Sequence, residues 1–192
     1  GDNDLVLYAH YLPLYNLKYK VAIAPGSSRA SMIFAANDPR LMDSNRNIFQ
    51  LANKKNQSYF KVEVDISGLD QGSNARINVY RAGYSEKDTL GKVFKSFPIK
   101  TDLIGNGNKN KQHSILINNE LGTLTFTVDD NKTFLADEKD ATAIAQPVPA
   151  NRDAVITLNP LGRHDVISFG MLGEIGFSVD KGQKAEFSEL TV

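Results

Sequence analysis

The stretch Glu174-Ile175-Gly176-Phe177-Ser178-Val179-Asp180 alternates apolar and polar side chains and sets the pattern for the whole chain. Side chains two positions apart on a strand share a face, so this period indicates a half-buried β-strand. Lys181-Gly182 then turns the chain, and the alternation resumes over Lys184–Val192. We expect these two stretches to form a closing hairpin, with the Ser114–Asp129 hairpin packed beside them.

The same alternation recurs between turn signals along the rest of the chain. Leu17–Ala24 and Ala30–Ala36 flank the turn Pro25-Gly26-Ser27-Ser28 and are expected to pair as a hairpin. Asp4–Leu14 contains Pro13 near its end. It is predicted to be an edge strand, because proline cannot donate a hydrogen bond to a β-ladder. Further strands are predicted at Ser58–Ile66, Ala75–Arg81, Val93–Ile99, His113–Asn118, Leu121–Val128, Ala154–Leu158 and Asp165–Phe169.

Many short strands with turns between them, and no long helix, predict an all-β fold. The expected architecture is an antiparallel two-sheet sandwich or jelly roll forming one domain over residues 1–192. One or two short helical turns interrupt it. Asp38 before Pro39 can cap one such turn, and Asp137–Ala145 is a candidate for another.

Composition excludes several classes of function. The 22 Lys and Arg residues balance 22 Asp and Glu residues, which removes the electrostatic argument for nucleic acid as a partner. The absence of cysteine excludes disulfides and thiolate chemistry. No apolar run is long enough to span a bilayer. Since the chain starts at Gly1 without Met, we expect that a leader peptide was removed and that the protein is periplasmic or extracellular.

Glu63-Val64-Asp65-Ile66-Ser67 places two carboxylates on one face of a predicted strand. Jelly-roll glycosidases of the laminarinase type carry a Glu-x-Asp-x-Glu strand, and glycosidase chemistry requires two carboxyl groups at a set separation. Here Ser67 occupies the third position, so one catalytic carboxylate is missing. We therefore predict a solvated strand face and assign no catalytic residue.

Metal binding has little support in the sequence. His10, His113 and His164 are far apart, and no metal-ligand spacing joins them, so each is expected to be a surface or half-buried residue. No metal ligand is assigned, and no cofactor is expected. Asp129-Asp130-Asn131 offers oxygen donors of the type that Ca²⁺ prefers, although a plain hairpin turn explains these residues equally well.

Carbohydrate binding is the remaining specific hypothesis. Tyr84, Tyr59, Tyr15 and Tyr11, together with many Asn residues, supply aromatic faces and amide hydrogen bonds. The absence of Trp counts against it. Core packing of the tyrosines is the competing explanation.

Five segments, taken in this order, resemble the non-catalytic N-terminal β-sandwich domain of bacterial α-L-rhamnosidases of glycoside hydrolase family 78. They are Met32–Met42 with Asn47-Ile48-Phe49, Tyr59–Gly68, Ala75–Tyr84, Leu158–Gly162 with Asp165-Val166-Ile167, and Met171–Val179. The resemblance implies a concanavalin-like jelly roll excised from a larger secreted glycoside hydrolase, whose catalytic domain lies outside this chain. It therefore implies an accessory domain that is catalytically silent by itself and that packs on or positions the catalytic domain of the same polypeptide.

The most distinctive motif in these segments runs from Asn37 to Arg40. We interpret it as structural, with Asp38 capping a turn and Arg40 pairing with a carboxylate. As candidate ligand-binding residues for plant or bacterial glycans we name Asn37, Asp38, Arg40 and Tyr84. Two alternatives to the accessory domain stay open, namely a stand-alone lectin-like protein and a jelly-roll hydrolase with an unrecognised site.

Overall fold

The computed structural model describes residues 4–10, 14–37, 58–82, 91–120, 123–130, 154–157 and 173–192. Within these ranges lie eleven strands and one short 3₁₀ turn, Leu69–Gln71. The helical turns predicted after Asp38 and within Asp137–Ala145 lie outside the described residues. In chain order the strands are β1 (Asp4–His10), β2 (Leu14–Ile23), β3 (Arg29–Asn37), β4 (Ser58–Asp65), β5 (Arg76–Ala82), β6 (Val93–Pro98), β7 (Gln112–Glu120), β8 (Thr123–Val128), β9 (Ala154–Thr157), β10 (Gly173–Val179) and β11 (Ala185–Thr191).

The strands form two antiparallel sheets. The six-stranded sheet has the order β1-β10-β3-β4-β5-β6, and the five-stranded sheet has the order β11-β2-β7-β8-β9. This arrangement confirms the predicted all-β two-sheet sandwich. It also confirms β1 as an edge strand, since among the described strands β1 is hydrogen-bonded to β10 alone. None of the helical structure in the described ranges is long and apolar enough to cross a membrane.

The core lies between the two sheets and consists of the inward side chains that the alternation predicts. Phe97 of the six-stranded sheet contacts Phe126 of the five-stranded sheet, with ring centroids 6.3 Å apart. Tyr19 contacts Phe177 across the same interface at 5.5 Å. Burial of apolar area at this interface is the main stabilising contribution to the fold. Other fully buried residues include Leu17, Met32, Phe34, Val62, Ile77, Val79, Ile115, Ile117 and Val128.

The predicted pairing of the last two strands is wrong. β10 lies in the six-stranded sheet between β1 and β3, whereas β11 is an edge strand of the other sheet and pairs with β2. The predicted β2–β3 hairpin is wrong for the same reason, because these strands also belong to different sheets. A tight turn reverses the chain direction, but it does not decide whether the next strand pairs within a sheet or packs across the core.

The two turns that cross between the sheets lie against each other. Both contain a glycine in the left-handed region, Gly26 with φ of 81° and Gly182 with φ of 82°. The backbone N–H of Ala24 donates to the carbonyl oxygen of Lys184 at 3.0 Å. The N–H of Lys184 in turn donates to Oγ of Ser27 at 2.8 Å. These bonds join the paired turns into one corner of the sandwich.

The hairpin predicted within Ser114–Asp129 is confirmed, because β7 pairs with β8. β7 continues through Glu120, two residues beyond its predicted end, and β8 begins at Thr123, two residues after its predicted start. The hairpin belongs to the same sheet as β11, but β2 separates the two.

Candidate ligand-binding face

The ligand-binding residues named from the sequence fall at or beyond the limits of the described structure. Asn37 is the last residue of β3, where its backbone pairs with that of Ser58. The positions of Asp38, Arg40 and Tyr84 lie outside the described residues. Their assignment as glycan ligands therefore stays a prediction, and the candidate site consists of other residues.

A row of five polar residues crosses the outer face of the six-stranded sheet. The strand register places one residue from each of five neighbouring strands directly opposite the next. The row forms because on each strand this polar residue faces outward while an adjacent apolar residue packs in or against the core: Phe177, Met32, Val62, Val79 or Phe97. We call this set the polar row: Ser178, Ser31, Glu63, Asn78 and Ser96.

Four of the five residues of the polar row are buried, and so is the neighbouring Asp65, which corrects the prediction of a solvated strand face at Glu63 and Asp65. Glu63 is 1% exposed and Asp65 is 8% exposed. The two carboxylates do share one face, as predicted. Burial of a carboxylate is costly unless hydrogen bonds compensate for the lost water, so their partners define the site.

Asn78 and Tyr80 of β5 supply the main hydrogen bonds to Glu63. Nδ2 of Asn78 donates to Oε1 of Glu63 at 3.1 Å, and the hydroxyl of Tyr80 donates to the same oxygen at 2.9 Å. Nδ2 of Asn78 also lies 3.4 Å from Oδ2 of Asp65. One amide thus bridges the two carboxylates of β4 and holds them in a fixed arrangement.

A second row runs beside the polar row and contains two arginines. We call it the arginine row: Arg29 of β3 lies opposite Asp65, which in turn lies opposite Arg76 of β5. Nε of Arg29 donates to Oδ2 of Asp65 at 3.1 Å, and the backbone N–H of Ser67 donates to its Oδ1 at 2.8 Å. Both oxygens of the Asp65 carboxylate are therefore engaged.

Ser96 links the two rows on β6. Nε of Arg76 donates to Oγ of Ser96 at 2.6 Å, and this hydroxyl donates to Oδ1 of Asn78 at 2.6 Å. The hydrogen bonds thus run in one direction from Arg76 through Ser96 and Asn78 to the Glu63 carboxylate. A network in which every member has a partner is rigid, because any movement breaks several bonds together.

Tyr80 and Lys61 form the third part of the face. Nζ of Lys61 lies 4.1 Å from the Tyr80 ring centroid and 3.6 Å from Oε2 of Glu63. Burial and the neighbouring charge of Glu63 raise the pKa of Tyr80 well above its ordinary value. The Tyr80 hydroxyl therefore stays protonated near neutral pH and keeps its role as a donor.

The predicted Ca²⁺ turn has other partners in the structure. Asp129 accepts hydrogen bonds from the His113 ring and from the backbone N–H of Ser114, both at 2.8 Å. Asp130 forms an ion pair with Lys18 at 2.7 Å. Asn131 lies outside the described residues, so the Ca²⁺ site stays a prediction. No group of three or more His, Asp or Glu residues that could hold a metal occurs in the described ranges.

Sequence reasoning identified only part of this face. Glu63 and Asp65 were found because of their Glu-x-Asp spacing, and Tyr59, a half-buried residue of β4, was named among the aromatic candidates. The residues that complete the face were missed: Arg29, Lys61, Arg76, Asn78, Tyr80 and Ser96. The sequence feature that could have revealed part of this set is Arg76-x-Asn78-x-Tyr80. It places three large polar side chains on one face of a strand, opposite the apolar Ile77 and Val79.

Comparison with known proteins identifies the class of fold. No protein-family model matches the chain, and no curated protein matches it. Among solved structures, the carbohydrate binding module CBM66 from Bacillus subtilis is similar, with a TM-score of 0.53 and 11% identity over 99% of this chain and 81% of that one. A Bacillus subtilis protein of unknown function with a galectin-like fold also has a TM-score of 0.53, with 9% identity over 99% of this chain and 77% of that one.

A tetrameric galectin from the ball sponge Cinachyrella sp. is similar at a TM-score of 0.50, with 8% identity over 98% of each chain. At such identities the likeness establishes the fold alone. The chain is therefore a jelly-roll β-sandwich of the type shared by galectins and this carbohydrate-binding module. None of these three structures points to a rhamnosidase, so the parent enzyme inferred from the sequence stays a prediction.

Proposed function

We propose that this chain is a non-catalytic carbohydrate-binding module that holds glycans on the outer face of its six-stranded sheet. The observation that carries the proposal is the hydrogen-bonded network of Ser96, Asn78 and Tyr80 around the buried carboxylate of Glu63. Sugar hydroxyls both donate and accept hydrogen bonds, so a ligand of this kind fits a surface of fixed amide, hydroxyl and guanidinium groups.

The groups within reach of a ligand are those at the outer level of the network. Arg76 is exposed, and Tyr80 and Ser96 are half-buried. The hydroxyl of Tyr80 is already oriented by Glu63, and Nζ of Lys61 lies over its ring. Because these groups are fixed before a ligand arrives, binding loses little side-chain entropy.

Two further arguments support glycan binding. The sandwich has the fold of a carbohydrate binding module and of a galectin, which makes a glycan the first ligand to test. The resemblance of five sequence segments to a rhamnosidase accessory domain favours the same class of ligand. With that resemblance we propose a secreted or periplasmic protein, joined to the catalytic domain of a glycoside hydrolase.

Titration of the full chain with a glycan panel tests the proposal. Isothermal titration calorimetry should detect binding of at least one oligosaccharide, and Tyr80→Leu and Ser96→Ala should each weaken it. The matched control is Lys18→Ala, which lies on the outer side of the five-stranded sheet and pairs with Asp130. Failure to bind any glycan, or equal weakening by the control, would refute the proposal.

A jelly-roll hydrolase is the second candidate, because Glu63 and Asp65 lie side by side on the same face. Both carboxylates are engaged, however, and Ser67 stands where the third acidic residue of the glycosidase strand would be. The chain should therefore bind without turnover of aryl-rhamnosides or β-glucans. Turnover that disappears in Glu63→Gln would favour the hydrolase instead.

A further inference from the structure

The charged groups of the ligand-binding face are arranged at two depths. The side chain of Arg29 is 44% exposed, whereas that of its partner Asp65 is 10% exposed. Lys61 is 18% exposed above Glu63, which is 1% exposed. The carboxylates thus lie beneath the cations, and an approaching ligand meets positive charge first.

Both arginines of the arginine row are fixed through the same atom. Arg29 uses Nε to bind Asp65, and Arg76 uses Nε to bind Ser96. A guanidinium carries five N–H donors, four of them on the two terminal nitrogens. Anchoring at Nε orients the plane of the group and leaves its terminal nitrogens for a second partner. Such a fork matches the paired oxygens of a carboxylate or sulfate.

The two forks are separated by a single strand. Arg29 and Arg76 lie opposite Asp65 from either side, so they are two strand spacings apart, about 10 Å between backbones. Asp65 balances one of the two positive charges, and the row keeps the other. Beyond Asp65, the charges of Glu63 and of Asp180, which follows β10, also act on Arg29.

We propose that the arginine row makes this face selective for saccharides that carry an anionic substituent, either a carboxylate or a sulfate. This proposal rests on the glycan-binding function proposed above and specifies its ligand class. An anionic group receives charge-assisted bonds from a guanidinium fork, whereas a neutral hydroxyl receives ordinary ones, which are weaker. The buried carboxylates act as positioning residues for the forks and do not contact the ligand.

Calorimetry on the full chain with three trisaccharides tests the selectivity: a galacturonate trimer, a sulfated galactose trimer and a neutral galactose trimer. We expect at least one anionic trimer to bind about tenfold more tightly than the neutral one, which is the effect of one charge-assisted contact. That preference should fall as salt is raised, because part of the attraction is screened. The two anionic arms identify whether carboxylate or sulfate is preferred.

Single substitutions distinguish the contribution of the arginine row to binding from the effect of positive charge elsewhere on the surface. Arg76→Gln should lower affinity for the preferred anionic trimer about tenfold and leave affinity for the neutral trimer within about twofold. Arg29→Gln should act in the same direction, with circular dichroism to verify folding. Lys18→Gln, which removes one positive charge from the opposite sheet, should change neither affinity.

The outcomes distinguish the two proposals. Equal binding of neutral and anionic trimers, or an Arg76→Gln variant with unchanged selectivity, would overturn charge selection and leave glycan binding intact. Absence of binding to every saccharide in this set and in the wider panel would overturn both.

Discussion

The hydroxyl of Tyr80 donates a 2.9 Å hydrogen bond to Oε1 of Glu63, a carboxylate that is 1% exposed. Tyr80→Phe removes this donor and leaves the buried charge with fewer partners. We expect the free energy of unfolding to fall by about 1.5–3 kcal/mol, the usual contribution of a hydrogen bond to a charged group. Urea denaturation of the purified variant measures the loss.

Tyr59→Phe is the matched control, because in the described part of the chain the Tyr59 hydroxyl has no hydrogen bond. It lies on β4 beside the same face and loses the same atom. We expect a change within about 0.5 kcal/mol. An equal loss in both variants would mean that the Tyr80 hydroxyl contributes nothing specific to the network.

The alternation of side chains predicted which residues face the core, but it did not predict the environment of the opposite face. Val62 and Val64 are buried as expected, because a strand turns every second side chain inward whatever its neighbours are. The burial of Glu63 depends on Asn78 and Tyr80, which reach it only through the β4–β5 register. That register is a long-range property, so inspection of β4 alone gave a solvated face.

The contacts of His113 predict that the free energy of unfolding depends on pH. Its Nδ1 lies 2.8 Å from Oδ2 of Asp129, and its Nε2 lies 2.9 Å from the carbonyl oxygen of Asn108. Both partners are acceptors, so only the imidazolium, with a proton on each nitrogen, satisfies both contacts. Burial by itself lowers the pKa of His113, but these two hydrogen bonds outweigh it and raise the pKa above the ordinary value of 6.5.

Because the pKa of His113 is raised in the folded state, its contribution to stability is complete below about pH 6.5 and is lost as pH rises through the folded-state value. Unfolding free energies from pH 5.5 to 8.5 should fall in the wild type more steeply than in His113→Gln. Asp129→Asn should flatten the profile in the same way, since it removes the charge that stabilises the imidazolium. Parallel profiles for the wild type and His113→Gln would contradict this assignment.

Gly105 and Gly107 make a matched pair in the loop between β6 and β7. A Cβ added at Gly105 would lie 2.4 Å from the carbonyl oxygen of Thr101, whereas one at Gly107 would have nothing within 4 Å. Gly105→Ala should therefore destabilise the protein by about 1–3 kcal/mol, since the backbone must shift to relieve the overlap. Gly107→Ala should be neutral or stabilise by up to about 1 kcal/mol. Thermal denaturation that gives both variants the same Tm would refute the difference.

Gln183 joins the two crossing turns, whose positions were predicted from the sequence but whose crossing between the sheets was not. Its Oε1 accepts hydrogen bonds from the backbone N–H of Ser28 at 2.6 Å and from that of Arg29 at 3.1 Å. Gln183→Ala leaves both donors without this acceptor and should lower the free energy of unfolding by about 1–3 kcal/mol. Gln112→Ala, which loses an exposed bond to Ser188, should change it by less than about 0.5 kcal/mol.

The same substitution also tests the ligand-binding face, because Gln183 holds the first residue of β3. If the Arg29 backbone is fixed by this bond, Gln183→Ala should weaken binding of an anionic saccharide to the folded protein as well. The effect should disappear in an Arg29→Gln background, where the fork is already absent. A loss of affinity that is equal in both backgrounds would show that Gln183 acts on the ligand independently of Arg29.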